Sequence, residues 1–260
     1  MLMEGIYCQM CNDFNFTDKV YIVTGASSGL GRKVAKCLSD YGAIIVLTGR
    51  NQTQLETTEI DLAGCGHLIY MKDLLDDDYT DLFDFIHSNG KRIDGIVHCA
   101  GIAPIIPLPS LNRKWVEQCM KVNFYSLVEL MRLYSKKKYR SEKGCVVAVS
   151  SISSYYPDKC QTVYAASKAA LNTAVQGMAL ELAKKNVRIN AVVPGSMDTE
   201  MSLKAFHDMG EVNKERKLSK QILGLTDAND VAKVVMFLLS DMSNAITGRT
   251  IFADGGYINF

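Results

Sequence analysis

KVYIVTGASSGLGRKVAKCLSDYG, residues 19–42, joins a β-branched run to a helix-like segment through a loop with glycines at positions 25, 29 and 31. Glycines so placed permit a tight turn, close approach of backbone to a pyrophosphate, and close packing of helix on strand. The helix start adds unpaired N–H groups and the positive end of a dipole. A glycine cluster by itself also fits an ordinary strand-to-helix turn. Set directly after the first strand and before the first helix, it reads as a dinucleotide-binding loop.

The alternation continues outward from that unit. AIIVLTG (43–49), HLIYMKD (67–73), IDGIVHCAG (93–101), GCVVAVSS (144–151), VRINAVVPG (187–195) and RTIFADGG (249–256) are further short apolar runs separated by helix-like segments. Nearly continuous apolar strands with helices between them imply a parallel sheet covered on both faces: a doubly wound, Rossmann-like α/β fold of about seven strands. A chain of 260 residues that is 48% hydrophobic is long enough for one such domain, and no repeat or linker divides it. The expected organisation is an N-terminal extension over 1–16 and a catalytic domain over 17–260. Residues 196–225, rich in Met, Lys and Glu, break the rhythm and are expected to form a lid, with the last helix starting near Thr226.

The formal net charge of +1 points away from nucleic acid and anionic membranes as partners, and no apolar run is long enough to cross a bilayer. A small-molecule partner fits better. Eight cysteines without a repeating spacing, several inside expected strands or helices (Cys37, Cys99, Cys145), suit reduced thiols in a cytoplasmic protein. Cys8 and Cys11 form one C-x-x-C, but neither a second pair nor a nearby histidine completes a zinc set, so no metal is expected.

The end of the second strand selects the nucleotide. A carboxylate there would bind the ribose 2′-hydroxyl and repel a 2′-phosphate. This chain has Gly49 in that place, followed by Arg50, whose guanidinium can pair with a phosphate, so the expected cofactor is NADP(H). A solvated surface arginine is the alternative.

In TVYAASKAALNTAVQGMALELA, residues 162–183, alanine content and apolar spacing predict one helix, which puts Tyr164 and Lys168 on a shared face. A phenol with an ordinary pKa of about 10 needs roughly three units of lowering to act as a base near neutrality. A neighbouring ammonium and an oxidised nicotinamide can supply it, and in the other direction the neutral phenol donates a proton to a ketone oxygen. Small neighbours leave the phenol accessible. Ser151, closing the strand CVVAVSS, sits where a substrate oxygen needs a donor.

These motifs, in this order, resemble the short-chain dehydrogenase/reductase family, of the compact type that includes the 3-oxoacyl-carrier-protein reductases, from about Phe16 to the C-terminus. The resemblance implies that Gly25, Ser27, Ser28, Gly29, Leu30 and Gly31 form the cofactor loop and that Asp73 and Leu74 lie beside the adenine. It places Ala100 and Gly101 against the cofactor, and has Pro194, Gly195, Met197 and Thr199 hold the nicotinamide end. It makes Tyr164 the general acid or base. Lys168 would bind the nicotinamide ribose and lower the phenol's pKa, Ser151 would orient the carbonyl, and Asn123 in KVNF would hold a proton-relay water. The stretch ITGRTIFADGGY (246–257) is similar to the family's closing strand.

One stretch departs from the family. HCAG (98–101) stands where two asparagines usually precede Ala-Gly, which puts local stability in question; His98 is expected to be a satisfied strand-end histidine rather than an extra acid or base. Tyr155 and Tyr156 are expected on the loop lining the substrate cleft. The basic run SKKKYRSEK (135–143) reads as the solvated end of a helix, with docking of an acyl-carrier protein, aided by Lys185, as the alternative. Three readings fit: an NADPH-dependent ketoreductase acting on a 3-oxoacyl thioester or small ketone, an alcohol or sugar dehydrogenase running toward oxidation, and a non-catalytic NADP(H) sensor. The family further implies a homo-oligomer, tetramer or dimer, formed through the long helices.

Overall fold

The computed structural model describes residues 14–209, 214–215 and 218–257. Cys8 and Cys11, and part of the expected lid, lie outside the described residues. Seven strands are present among them: β1 (Val20–Thr24), β2 (Ile44–Gly49), β3 (Leu68–Met71), β4 (Ile93–His98), β5 (Arg140–Val149), β6 (Val187–Pro194) and β7 (Thr250–Ala253). They form one sheet in the order β3-β2-β1-β4-β5-β6-β7, and every adjacent pair is parallel. The chain reverses direction of winding between β1 and β4. In such a sheet the crevice outside the strands' C-terminal ends at that point is where ligands bind.

Alternate residues of each strand enter opposite cores, as the two-residue period demands. On one face Ile22, Val46, Ile96 and Val146 pack with Phe83, Leu130 and Val175, from α3 (Thr80–Ser88), α5 (Ser126–Tyr134) and α6 (Thr162–Leu182). On the other, Val23, Leu47, Val97 and Val147 pack with Val34 and Leu38 of α1 (Gly29–Asp40) and Val231 and Val235 of α8 (Ala228–Leu239). Each fully buried aliphatic side chain contributes about 1.5–3 kcal/mol relative to exposure. The strand ends that carry the site are thereby clamped from both sides.

α2 (Gln52–Ile60) follows β2, and α4 (Arg113–Met120) runs into α5 through a π-helical turn, Lys121–Tyr125. α7 (Glu200–Met209) lies in the segment expected as a lid. The last helix starts where the sequence places it, with Asp227 as N-cap accepting from Asn229 N.

Packing begins before residue 17: Phe16 is fully buried, edge-on to Tyr21 at 5.7 Å, and Phe14 meets Tyr41 at 6.0 Å. The basic run also differs from a uniformly solvated helix end. α5 stops at Tyr134, Lys136 to Lys138 are exposed, and Tyr139 and Arg140 are buried as β5 begins. Lys138 pairs with Asp84 at 3.1 Å, and Lys185 donates to the Ser135 carbonyl at 3.3 Å.

Candidate active site

The loop from β1 into α1 forms one wall of a cleft of about 270 Å³ at the switch point. Gly25, Ser27, Ser28, Gly29, Leu30 and Gly31 all line it. Gly25 has φ +67°, and a Cβ there would come within 2.9 Å of the Ala100 backbone; a Cβ on Gly31 would clash with the Gly25 carbonyl oxygen. Neither position tolerates a side chain. Ser28 caps α1 without a side-chain bond, so the first N–H groups of the helix are left for a ligand.

Arg32 fixes this wall from behind. Its guanidinium donates to the Ser27 carbonyl, to Gln54 Oε1 at 2.7 Å and to Thr58 Oγ1 at 3.0 Å. Thr58 Oγ1 in turn donates to the Ala26 carbonyl at 2.9 Å. The glycine loop is thus tied to α2, whose N-cap is Asn51, next to Arg50.

Arg50 is exposed and lines the cleft beside Gly49, with Asp73 and Leu74 further along the same side. Ala100 and Gly101 form its floor, and Met197 and Thr199 close it from the far side. A Cβ built on Gly29 would stop 3.7 Å from the Thr199 side chain, and one on Gly101 would stop 3.4 Å from Lys168 Nζ. At both points bare backbone faces the functional side chain across a gap that a Cβ would fill. With free N–H groups at one end and Lys168 at the other, the residues present fit an extended dinucleotide.

Lys168 is buried one turn after Tyr164 on α6; its Nζ donates to the Val149 carbonyl at 2.7 Å. Burial lowers its pKa to about 8, with Cys119 and Cys99 opposing the shift. Tyr164 is half-buried and lines both this cleft and the cavity next to it. Burial raises the phenol's pKa and hydrogen bonding with Ser151 opposes the rise. At neutral pH the phenol is therefore a neutral donor.

Asn123 is fully buried in the π-helical turn. Its Oδ1 accepts from Ile102 N at 2.8 Å, and Nδ2 donates to the Ile102 carbonyl at 2.9 Å and to Ser167 Oγ at 2.9 Å. Both amide hydrogens are engaged, so the side chain locks the Gly101–Ile102 loop onto α6.

His98 takes over the tie that the family's asparagines usually make. Fully buried, it sits with Nδ1 3.0 Å from Thr24 Oγ1 and Nε2 3.2 Å from Ser126 Oγ. Thr24 Oγ1 accepts from Ala100 N at 3.1 Å, and Ser126 Oγ donates to the Val122 carbonyl at 2.7 Å. The network assigns a neutral ring with its proton on Nε2. Burial first, then the Lys168 charge, holds its pKa down at about 3, so it is a strut between β1, the β4 end and α5.

The second cavity, about 90 Å³, adjoins the cleft at Tyr164, Met197 and Thr199. Ser151, Pro194 and Gly195 line it. Met201 and Phe206 of α7 supply an apolar wall, and Gln161 lines it beside Ser153. Gln161 escaped the sequence reading although it precedes Tyr164 by three residues, a spacing that alone would have placed it nearby. Tyr155 and Tyr156 are not brought to the site: their rings lie against Phe252 at 4.9 Å and Tyr257 at 5.8 Å.

Comparison with known proteins agrees with this geometry. A family profile described as enoyl-(acyl carrier protein) reductase matches residues 25–258. L-xylulose reductase from Caenorhabditis elegans is 31% identical over 254 residues, covering 95% of this chain and 98% of that protein. A solved structure described as a short chain dehydrogenase/reductase family protein superposes with a TM-score of 0.82 at 26% identity, covering 93% of this chain and 98% of its own. The 3-oxoacyl (acyl-carrier-protein) reductase from Agrobacterium tumefaciens, solved with NADP bound, gives 0.85 at 26% identity over 95% and 97% of the two chains.

Proposed function

The chain belongs to the short-chain dehydrogenase/reductase family, an oxidoreductase family acting on alcohol and ketone groups, and from that premise we propose that it is an NADPH-dependent ketone reductase with Tyr164 as proton donor. The observation that carries this reading is the position of Tyr164 at the junction of two cavities, one shaped for a dinucleotide and one for a small substrate. The dinucleotide, when bound, supplies the hydride.

The protein's own groups do the rest. Ser151 and Tyr164 present hydroxyls to the substrate cavity and hold the ketone oxygen between them. Tyr164, kept neutral by burial, gives its proton to that oxygen as charge develops there. Lys168, still an ammonium at neutral pH, stabilises the phenolate left behind. Asn123 acts as a positioning residue, holding the Gly101 floor opposite Lys168.

Arg50 supports NADPH over NADH: no carboxylate stands at Gly49 to repel a 2′-phosphate, and a guanidinium lines the cleft beside it. The likeness to the Agrobacterium reductase keeps a 3-oxoacyl thioester among the substrates considered. Self-association is proposed through α4, the π-helical turn and α5, where Trp115, Val116, Tyr125 and Val128 leave apolar surface exposed.

The test is an absorbance assay with NADPH and NADH against ketones and 3-oxoacyl thioesters. Oxidation of NADPH, with preference over NADH falling about tenfold or more in Arg50→Ala, is expected. No oxidation of either nucleotide by any carbonyl would refute the reading.

A further inference from the structure

Three stretches of chain meet at one side chain, Gln221, which is 2% exposed and lines neither cavity. Its Oε1 accepts from Ser196 N, just after β6, at 2.8 Å. Its Nε2 donates to the carbonyls of Ser196 at 3.0 Å and Gly224 at 2.6 Å, and to Thr226 Oγ1 at 2.8 Å. Carbonyls only accept, so the amide fits only this way round. The Gln221 backbone forms an isolated antiparallel bridge with Tyr257, just beyond β7.

Glycines make room for the amide on two sides. A Cβ on Gly195 would come within 2.6 Å of Gln221 Oε1, and one on Gly255 within 3.0 Å of its Cγ and Nε2. By exchanging bonds with both the N–H and the carbonyl of Ser196, the side chain does for that residue what a neighbouring strand does inside the sheet. The bracket locks the ends of β6 and β7 and the stretch 221–226 into one block.

What hangs from it bears on both cavities. Met197 and Thr199 line the nucleotide cleft and the substrate-side cavity alike, beside Tyr164, and Thr199 faces bare Gly29 across the cleft. Arg50, Asp73 and Leu74 stand past β2 and β3, on the other side of the switch point, and have no share in the bracket. Resting on the proposed NADPH-dependent reduction, we propose that Gln221 is a positioning residue for the hydride-bearing half of the nucleotide. It acts through Ser196 on Met197 and Thr199 and touches neither nucleotide nor ketone.

Two probes separate the halves of the nucleotide: NADPH, and adenosine 2′,5′-bisphosphate, which has no nicotinamide. Gln221→Met keeps the length of the side chain and removes the amide. It should weaken NADPH binding about tenfold while adenosine 2′,5′-bisphosphate binds within about twofold of wild type. With NADPH saturating, kcat for a ketone should fall about ten- to a hundredfold. Thr226→Val removes one acceptor from Nε2, leaves Gln221 in place, and should weaken NADPH alone by about threefold.

The split between the probes is what a merely structural role would not produce, because a loosened fold weakens both. Equal weakening of the two probes, or NADPH affinity and kcat both within about twofold of wild type in folded Gln221→Met, overturns the inference while leaving ketone reduction standing. Should Gln221→Met fail to fold, Thr226→Val decides: a loss confined to NADPH supports the bracket, and unchanged NADPH affinity overturns it. A wild type that binds neither probe refutes the NADPH reading, and the inference with it.

Discussion

The wall that takes the nucleotide is built from backbone, whereas the wall over the substrate cavity is built from side chains on one helix and its flanks. On the nucleotide side the contacts are glycines, loop carbonyls gripped by Arg32 and Thr58, and strand ends strutted by His98. Every one of these rests on the sheet or on helices packed against it. On the substrate side Met201 and Phe206 line the cavity from α7, and the isolated bridge Met197↔Thr226 and the Gln221 bonds to Ser196 tie the base of that segment. On the proposed function, the contrast ties cofactor binding to the fold and leaves substrate choice to a few side chains that can change without disturbing it.

The strongest way to break that contrast is a single methyl group. Gly31→Ala drives a Cβ into the Gly25 carbonyl and to 3.2 Å from Ala26 N, both backbone atoms that cannot rotate away. A stability loss of about 3 kcal/mol in urea unfolding, with weakened NADPH binding, is expected. A variant as stable as wild type that still binds NADPH would show the loop to be deformable.

A smaller effect isolates the strut. The folded protein holds His98 at about 3, against 6.5 for an ordinary histidine, so above 6.5 both folded and unfolded chains keep it neutral. As pH falls below 6.5 the unfolded chain takes up a proton that the folded one refuses. Stability then drops by about 1.4 kcal/mol per pH unit from this residue alone until roughly pH 3. Between pH 7 and pH 5 the wild type should lose about 2 kcal/mol more than His98→Asn in urea titrations. Equal losses would remove His98 from the account.

The smallest stability effect belongs to α7, in the segment expected as a lid. Met201 is 49% exposed and lines both cavities, so Met201→Ala should change stability by no more than about 0.5 kcal/mol while raising KM for ketones several-fold. An unfolding midpoint shift as large as that of Gly31→Ala would erase the distinction between the walls.

The sequence showed most of the backbone-built side because its signals are local. All seven apolar runs became strands, the glycine loop lies where its neighbours in sequence put it, and Tyr164 and Lys168 share a helix face. What escaped depends on partners distant in the chain. His98 is satisfied as expected, but its partners, Thr24 and Ser126, are 74 and 28 residues away. The tyrosines after Ser151 turn toward Phe252 and Tyr257, nearly 100 residues on, and no periodicity encodes that choice. The π-helical turn that carries Asn123 interrupts a run whose composition reads as plain helix. β5 reaches back to Arg140 because Tyr139 and Arg140 are buried, which a run of basic residues conceals.

The claim that a neutral phenol at the meeting point of the two walls delivers the proton is tested most directly by Tyr164→Phe, assayed for both NADPH binding and ketone turnover. Removing one hydroxyl should leave NADPH affinity within about threefold while kcat falls by about 10²–10⁴. Turnover within tenfold of wild type, with the nucleotide bound normally, would contradict the account.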